Sequence, residues 1–252
     1  MYPYIKFVIP TYSLMAFLGA FAALCFLYFR LEKYQIQFTD FLKLFGLSIA
    51  SGFVGSKALF ILTQLPGLFS AFSLHELIRI IIQSGFVFYG GLFGVVFALL
   101  YITGKDADLR KRVFCFAVPA FALFHAFGRI GCLLGGCCYG KVLEPHVVVF
   151  GMIELGRIPV PLFESLFEFI MFACLLFIEK KDPQRDVLKI YLVGYALFRF
   201  CDEFLRGDIV RGIFFGLSTS QWISLAIIVY YIAKPLFKKK HVGTTKRESA
   251  AG

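Results

Sequence analysis

Polar and charged side chains share one face of a late apolar segment. The stretch YLVGYALFRFCDEFLRGD carries them at spacings of four, four and three: Tyr195, Arg199, Glu203 and Arg206. On an α-helix these positions fall within a sector of about 80°, with Asp202 just beside it. A guanidinium presents a planar fork of donors that matches the oxygens of a phosphate. The spacing therefore predicts an anion-binding site.

A second candidate stretch, GRIGCLLGGCCYG, combines Arg129 with glycines and with Cys132, Cys137 and Cys138. A charge at the centre of a membrane-spanning helix costs roughly 2.5–3.5 kcal/mol, so each arginine must face protein or water. Two interpretations remain open. The charges form an ion-paired lock (Arg199 with Glu203, Arg206 with Asp202 or Asp208), or they bind an anion such as a lipid phosphate. Three arginines against few intramembrane acids favour the anion.

The surrounding composition is that of a membrane protein. The chain has 252 residues, of which 59% are hydrophobic and 17% charged, against about 25% charged in soluble domains. Roughly seven apolar segments are each long enough to cross a hydrocarbon core of about 30 Å. They are 8–29, 41–63, 82–103, 113–135, 161–179, 187–206 and 219–236. We expect an all-α polytopic fold: one transmembrane domain over 1–240 and a disordered cytoplasmic tail over 241–252.

The basic residues are distributed unevenly between the two sides. One alternate set of connections, with the C-terminal tail, holds 15 Lys and Arg and the other set holds six. The positive-inside rule then places the C-terminus in the cytoplasm and the N-terminus outside. The net charge of +10 is therefore a topology signal and not a nucleic-acid footprint.

Two outer connections are long enough to cover a site. Residues 64–80 are amphipathic and are expected to lie in the membrane interface. Residues 136–160 mix β-branched residues with Gly and Pro, which predicts a short extended hairpin or a lid. The glycine pairs in FVFYGGLFG and LLGGCCYG have two interpretations: close helix packing, or backbone approach to a ligand.

The order of these stretches resembles that of the bacterial prolipoprotein diacylglyceryl transferases over nearly the whole chain. GRIGCLLGGCCYG is similar to their signature of Gly-Arg-x-Gly-Asn, a further Asn, a Glu and a closing Gly. YALFRFCDEFLR resembles their late Tyr, Arg, Glu and Arg motif, and FYGGLFG lies where they have His-Gly-Gly-Leu. RIPVPLFE retains Pro159, Leu162 and Glu164. TYSLMAFLG resembles a segment of the family's first span and places Tyr12 at a tyrosine of that family. STSQWISL is similar to the family's last span.

The resemblance implies a seven-helix fold in the bacterial cytoplasmic (inner) membrane, with an outer N-terminus and no cofactor. It implies transfer of diacylglyceryl from phosphatidylglycerol to the lipobox cysteine of a prolipoprotein, with release of glycerol phosphate. The residues assigned to catalysis on this basis are Arg129, Arg199, Glu203, Tyr89 and Cys137. Those assigned to substrate binding are Arg206, Tyr12, Tyr195, Gly90, Gly91, Gly128, Gly131, Gly140 and Glu164.

The chain departs from the family pattern at polar positions. Tyr89 replaces the family His, Cys132 and Gly135 replace Asn, Cys137 replaces Glu, Ile158 replaces His and Phe163 replaces Tyr. A neutral tyrosine with a pKa near 10 is a poor base. The donor chemistry is therefore expected to be kept, while the acceptor or the proton route has changed. The alternatives are an enzyme that uses the same phospholipid donor with a different acceptor, and a non-enzymatic protein that binds or transports lipids or anions.

The three cysteines leave several interpretations open. They are apolar fillers, a catalytic thiol at Cys137 or Cys138 whose pKa a nearby arginine lowers, or a redox-active set. A zinc site is not expected, because adjacent cysteines do not match the usual C-x₂₋₄-C spacing and no His follows closely.

Overall fold

The computed structural model describes residues 4–5, 9–68, 87–149, 153–182, 185–207 and 213–248, and these are mostly helical. The helices are α1 (Thr11–Tyr28), α2 (Leu31–Tyr34), α3 (Phe38–Leu68), α4 (Phe88–Thr103), α5 (Ala107–Gly135), α6 (Val160–Lys181), α7 (Val187–Asp202) and α8 (Thr219–Glu248). The antiparallel strand pairs are β1 (Tyr4–Ile5) with β2 (Ile9–Pro10), β3 (Val142–Val149) with β4 (Ile153–Arg157), and β5 (Ile213–Phe214) with β6 (Leu217–Ser218).

The helices confirm an all-α membrane protein. Within the described residues, four are long and apolar enough to cross a membrane: α1, α3 over Phe38–Leu62, α5 and α6. The apolar helix α4 is shorter, with 16 residues. Large apolar side chains such as Phe17, Phe97 and Ile170 are more than half exposed, which is the outer surface expected of a protein solvated by lipid tails. The chain is therefore a multi-pass membrane protein.

Three sequence expectations concern the connections and the tail. The hairpin predicted within 136–160 is confirmed by the pairing of β3 with β4. Most of the predicted interfacial segment 64–80 lies outside the described residues, which resume at position 87. Helix α8 continues to Glu248, beyond the predicted domain limit at 240, and the division into a domain and a tail stays a prediction.

Two compact units divide the chain, and the first comprises Cys25–Ala117. In it α3 packs closely on α4 through small residues. A Cβ added to Gly55 would collide with the carbonyl oxygen of Gly90, and one added to Gly94 would collide with that of Ser51. The hydroxyl of Ser56 donates to the carbonyl of Val87 at 3.1 Å. Such contacts let helix backbones approach in a membrane, where lipid removes the hydrophobic drive for association.

The second unit comprises Met1–Leu24 and Val118–Gly252. It brings the start of α1 and the second half of α5 together with α6, α7 and α8. Phe167 of α6 stacks on Phe198 of α7, with ring centroids 4.1 Å apart. Gly131 of α5 lies against Tyr12 and Met15 of α1, at 3.2 Å from an added Cβ. These contacts pack α6 on α7 and α5 on α1 within the unit.

A capping box starts α8. The amide of Gln221 donates to the Ser218 hydroxyl at 3.2 Å, and the Gln221 side chain accepts from the Ser218 amide at 2.9 Å. This reciprocal pairing satisfies two amides at the helix start. The indole of Trp222 donates to the carbonyl of Phe214 at 2.9 Å, which ties strand β5 to the first turn of α8.

Candidate active site

One buried carboxylate gathers three arginines. Glu164, in the second turn of α6, is fully buried. Its oxygens contact Nη2 of Arg129 from α5 and Nη1 of Arg199 from α7, and Nη1 of Arg206 lies 3.4 Å from Oε1. A buried charge is tolerated only when it is paired. The arginines that the sequence placed on separate segments therefore converge on one point inside the second unit.

The end of α7 supplies two further carboxylates. Nη1 of Arg199 lies 3.3 Å from Oδ2 of Asp202, and Nη2 lies 3.0 Å from Oε2 of Glu203. Three arginines thus face three acids in this part of the described structure. The prediction that arginines outnumber acids at this site is therefore wrong. Glu164 supplies the third acid from another helix, and sequence spacing does not place it here.

The late motif is not one continuous helical face. Helix α7 ends at Asp202, Glu203–Leu205 form a 3₁₀ turn, and Arg206 has extended backbone angles. The helical sector predicted from the spacing is therefore correct for Tyr195 and Arg199 and wrong for Arg206. Arg206 reaches Glu164 because the tight turn redirects the chain.

A backbone clasp fixes Arg206. The segment 139–141 lies between Ile158 on one side and Leu205–Gly207 on the other. The bonds are 2.9–3.1 Å long: Gly140 to Ile158, Ile158 to Lys141, Lys141 to Leu205 and Gly207 to Tyr139. An added Cβ on Gly140 would lie 2.6 Å from the Ile158 carbonyl oxygen and 2.9 Å from that of Leu205. A side chain at position 140 would push these backbone segments apart and break their hydrogen bonds. Gly140 therefore contributes to the site through its backbone.

Among the described residues, the cluster leaves both a buried donor, Nε of Arg129, and a buried acceptor, Oδ1 of Asp202, without a hydrogen bond. A buried unsatisfied donor costs about 1–3 kcal/mol. The residue before Arg129, Gly128, borders open space, since no described atom lies within 4 Å of an added Cβ. A bound anion next to α5 would satisfy this donor.

Sequence reasoning missed a second buried polar cluster. Nδ1 of His125 lies 2.8 Å from Oε1 of Glu168, and the hydroxyl of Tyr191 donates to the same carboxylate at 3.1 Å. The rings of His125 and Tyr195 meet edge to face at 5.5 Å. The available signal was Glu164 and Glu168 at i, i+4 in an apolar segment, which marks one polar helix face.

Three thiols meet where α5 ends. The sulfurs of Cys132, Cys137 and Cys138 all lie within 4.8 Å of one another. Nη1 of Arg129 donates to the sulfur of Cys132 at 3.6 Å. The pKa of the Cys138 thiol lies below its ordinary value, because hydrogen bonding with the side chains of Cys132 and Cys137, and then the positive charge of nearby arginines, favours its thiolate.

The remaining predicted residues divide between the units. Tyr12 lies half-exposed on α1 against Gly131, and Tyr195 is buried on α7. Tyr89 belongs to the other unit, where it is buried and stacks on Phe93 at 6.0 Å. Gly90 and Gly91 pack against α3, which favours the helix-packing interpretation for that pair. Their assignment to substrate binding stays a prediction.

Comparison with known proteins shows which family the chain belongs to. The family model described as prolipoprotein diacylglyceryl transferase matches residues 2–235. A protein of Clostridium tetani (strain Massachusetts / E88), named phosphatidylglycerol–prolipoprotein diacylglyceryl transferase, is 33% identical over 226 residues, covering 86% of this chain and 88% of that protein.

Two further relatives extend the comparison. The protein of Clostridium perfringens (strain 13 / Type A), carrying the same name with the number 2, is 35% identical over 190 residues, 73% of each chain. The protein of that name from Dehalococcoides mccartyi is 27% identical over 239 residues, 91% of this chain and 88% of its own. The family model that matches residues 2–235 and the relatives of 33% and 35% identity mean that the chain belongs to the prolipoprotein diacylglyceryl transferase family.

Proposed function

We propose that the protein transfers the diacylglyceryl group of phosphatidylglycerol to the lipobox cysteine thiol of a prolipoprotein and releases glycerol phosphate. The observation that carries this proposal is the convergence of three guanidiniums on the buried Glu164, in a chain whose relatives bear the name of this reaction. Neither a different acceptor nor a transporter is favoured by those relatives.

The arginine cluster is suited to a phosphate ester. Breaking the glyceryl C–O bond leaves both bonding electrons on a phosphate oxygen, so negative charge grows there during the step. Arginines already held in place stabilise that charge without reorganisation. Glu164 holds Arg129, Arg199 and Arg206 together, and Nε of Arg129 remains as a buried donor for an incoming oxygen.

The acceptor enters as a thiolate, which is the reactive form of cysteine. Its sulfur forms the new bond to the glyceryl carbon, and the thiol proton goes to a base. Catalytic roles are proposed for Arg129, Arg199, Glu203, Tyr89 and Cys137. Tyr89 stands where the family has His and is a weak base, so the route of the thiol proton is expected to differ from that of the family.

The remaining proposed roles are in substrate binding. Arg206 and Glu164 contact each other beside the proposed phosphate position. Gly140 acts through its backbone, and Gly128 borders open space next to Arg129. The other members of the proposed binding set are Tyr12, Tyr195, Gly90, Gly91 and Gly131.

A reconstituted assay tests the proposed reaction. Purified protein is supplied with phosphatidylglycerol labelled in its acyl chains and with a peptide that carries a lipobox cysteine. We expect the peptide to gain the mass of diacylglyceryl and glycerol phosphate to appear in equal amount. A peptide with serine in place of that cysteine serves as the control. Consumption of lipid with no change in the cysteine peptide would contradict the proposed acceptor.

A seven-span topology is proposed for the bacterial cytoplasmic membrane. The support is the charge asymmetry of the connections together with a helix within each of the seven predicted apolar segments. The N-terminus and the C-terminal end of α5 then face outside, and the C-terminus lies in the cytoplasm. In whole cells, the Glu144→Cys variant, changed at an exposed position of the β3–β4 hairpin, is expected to take up more of a membrane-impermeant maleimide than wild type. Extra labelling only after lysis would reverse the orientation.

A further inference from the structure

The thiols at the end of α5 are brought together by an unusual backbone path. Cys132 lies in the last turn of the helix, and the amide of Cys137 donates to its carbonyl at 3.1 Å. Gly136 and Cys138 then adopt positive φ angles of 73° and 57°. A left-handed conformation is unfavourable for a residue with a side chain, and such strain is concentrated at functional sites. The chain path turns all three sulfurs toward one another.

The sulfur positions suit a thiolate-binding metal ion. A zinc–sulfur bond of about 2.3 Å places thiolates on a shared ion about 3.8–4.0 Å apart. The three sulfurs lie within 4.8 Å of one another, so shifts of less than about an ångström would close the site. Thiolate ligands favour Zn²⁺ over Mg²⁺ or Ca²⁺, which prefer oxygen. Cysteines at adjacent positions can face one ion here, because the two left-handed residues, and not sequence distance, set the geometry.

The neighbourhood also balances the charge. Three thiolates around Zn²⁺ leave one net negative charge. The guanidinium of Arg129, which donates to the Cys132 sulfur at 3.6 Å, lies where it would offset that charge. Outer hydrogen bonds of this kind orient metal ligands and tune the ion that they hold.

We propose that Cys132, Cys137 and Cys138 bind Zn²⁺ and leave its fourth position open for a thiol. Three protein ligands with one open position is the pattern of catalytic zinc sites, and the exposed Cys137 leaves the cluster accessible. This inference rests on the proposed function, in which the incoming thiol is that of the lipobox cysteine. A thiol that binds such an ion is deprotonated outright, which supplies the thiolate that Tyr89 is poorly suited to generate.

The step balances without any further reactant. The acceptor thiol binds the ion and its proton passes to solvent. The sulfur then bonds to the glyceryl carbon as the C–O bond breaks, and glycerol phosphate leaves with the bonding electrons. The thioether formed is a weaker ligand than a thiolate and departs. The ion and its three protein thiolates are unchanged.

Metal binding is measured on the full chain in detergent, reduced and stripped of metal. We expect one Zn²⁺ per chain in competition with a chromophoric chelator. Serine in place of any of the three cysteines should weaken binding at least 10-fold, whereas Cys174→Ser, an exposed thiol on α6, should leave it unchanged. Failure to bind Zn²⁺ at micromolar concentration, binding that survives the serine variants, or stoichiometric Cu⁺ in its place would overturn the site.

The open position has its own readout. Co²⁺ replaces Zn²⁺ and reports thiolate ligands through charge-transfer absorption and its geometry through visible bands. Addition of a lipobox peptide is expected to shift these bands, and the serine-substituted peptide is not. If the three cysteines bind zinc but the protein transfers no lipid, the zinc site is supported and the proposed function is refuted. Full transfer by metal-free protein, or by the cysteine variants, would refute the role of zinc while the proposed function stands.

Discussion

Replacing Arg199 by alanine is expected to lower the rate of diacylglyceryl transfer by about 10²–10³-fold, the loss typical when one donor that stabilises developing charge is removed. Arg199 contacts three carboxylates, those of Glu164, Asp202 and Glu203. Glu164 keeps Arg129 and Arg206 as partners in this variant, but the buried Asp202 and Glu203 lose their contacts with Arg199, so thermal unfolding is measured beside the rate. The measurement is the initial rate of peptide lipidation with saturating phosphatidylglycerol.

Two companion variants show whether the effect belongs to the site. Arg185→Ala removes an exposed arginine paired with Asp182 at 2.9 Å, a kind of pair worth at most about 1 kcal/mol, and should leave the rate unchanged. Arg199→Lys keeps the charge but not the planar fork and should fall between wild type and alanine. A wild-type rate in Arg199→Ala would remove the arginine cluster from the mechanism.

Replacing Glu164 by alanine is expected to cause the largest loss of stability, about 3–5 kcal/mol, because it leaves buried charges without their shared partner. Arg129, Arg199 and Arg206 would then face one another around an empty position. Transfer should be lost together with the fold. The measurement is thermal unfolding in detergent, followed by circular dichroism and by retention on a sizing column.

The conservative variant separates charge from shape. Glu164→Gln keeps the volume and one acceptor oxygen but removes the negative charge, so it should destabilise the protein less than alanine does. Glu144→Ala, at an exposed position of the β3–β4 hairpin, is the matched control and should unfold as wild type. Equal stability of Glu164→Ala and wild type would show that the three arginines do not depend on this carboxylate.

The sequence allowed the helical segments and one polar face to be predicted for a simple reason. Apolar length and helical period are local properties, so the segments and the pairing of Tyr195 with Arg199 on one face follow from spacing alone. The hairpin over 136–160 followed from its β-branched residues and turn formers. The positive-inside rule is also local, and its topology remains a proposal.

The parts that could not be predicted are long-range. Glu164 lies 35 residues before Arg199 and the same number after Arg129, and no periodicity relates positions on different helices. The end of α7 at Asp202 was missed because helix ends depend on tertiary contacts, here the clasp between Gly140 and Leu205–Gly207. The meeting of the cysteines depends on two left-handed residues, which the sequence suggests only through Gly136.

The bond from Trp222 to Phe214 gives the protein a built-in optical probe. The chain has a single tryptophan, so all indole emission comes from the junction of β5 and α8. Its wavelength and intensity will follow the polarity at that junction without any label. Phospholipids brominated at chosen depths along their acyl chains would quench it by collision, and the most effective depth would locate the start of α8 within the bilayer.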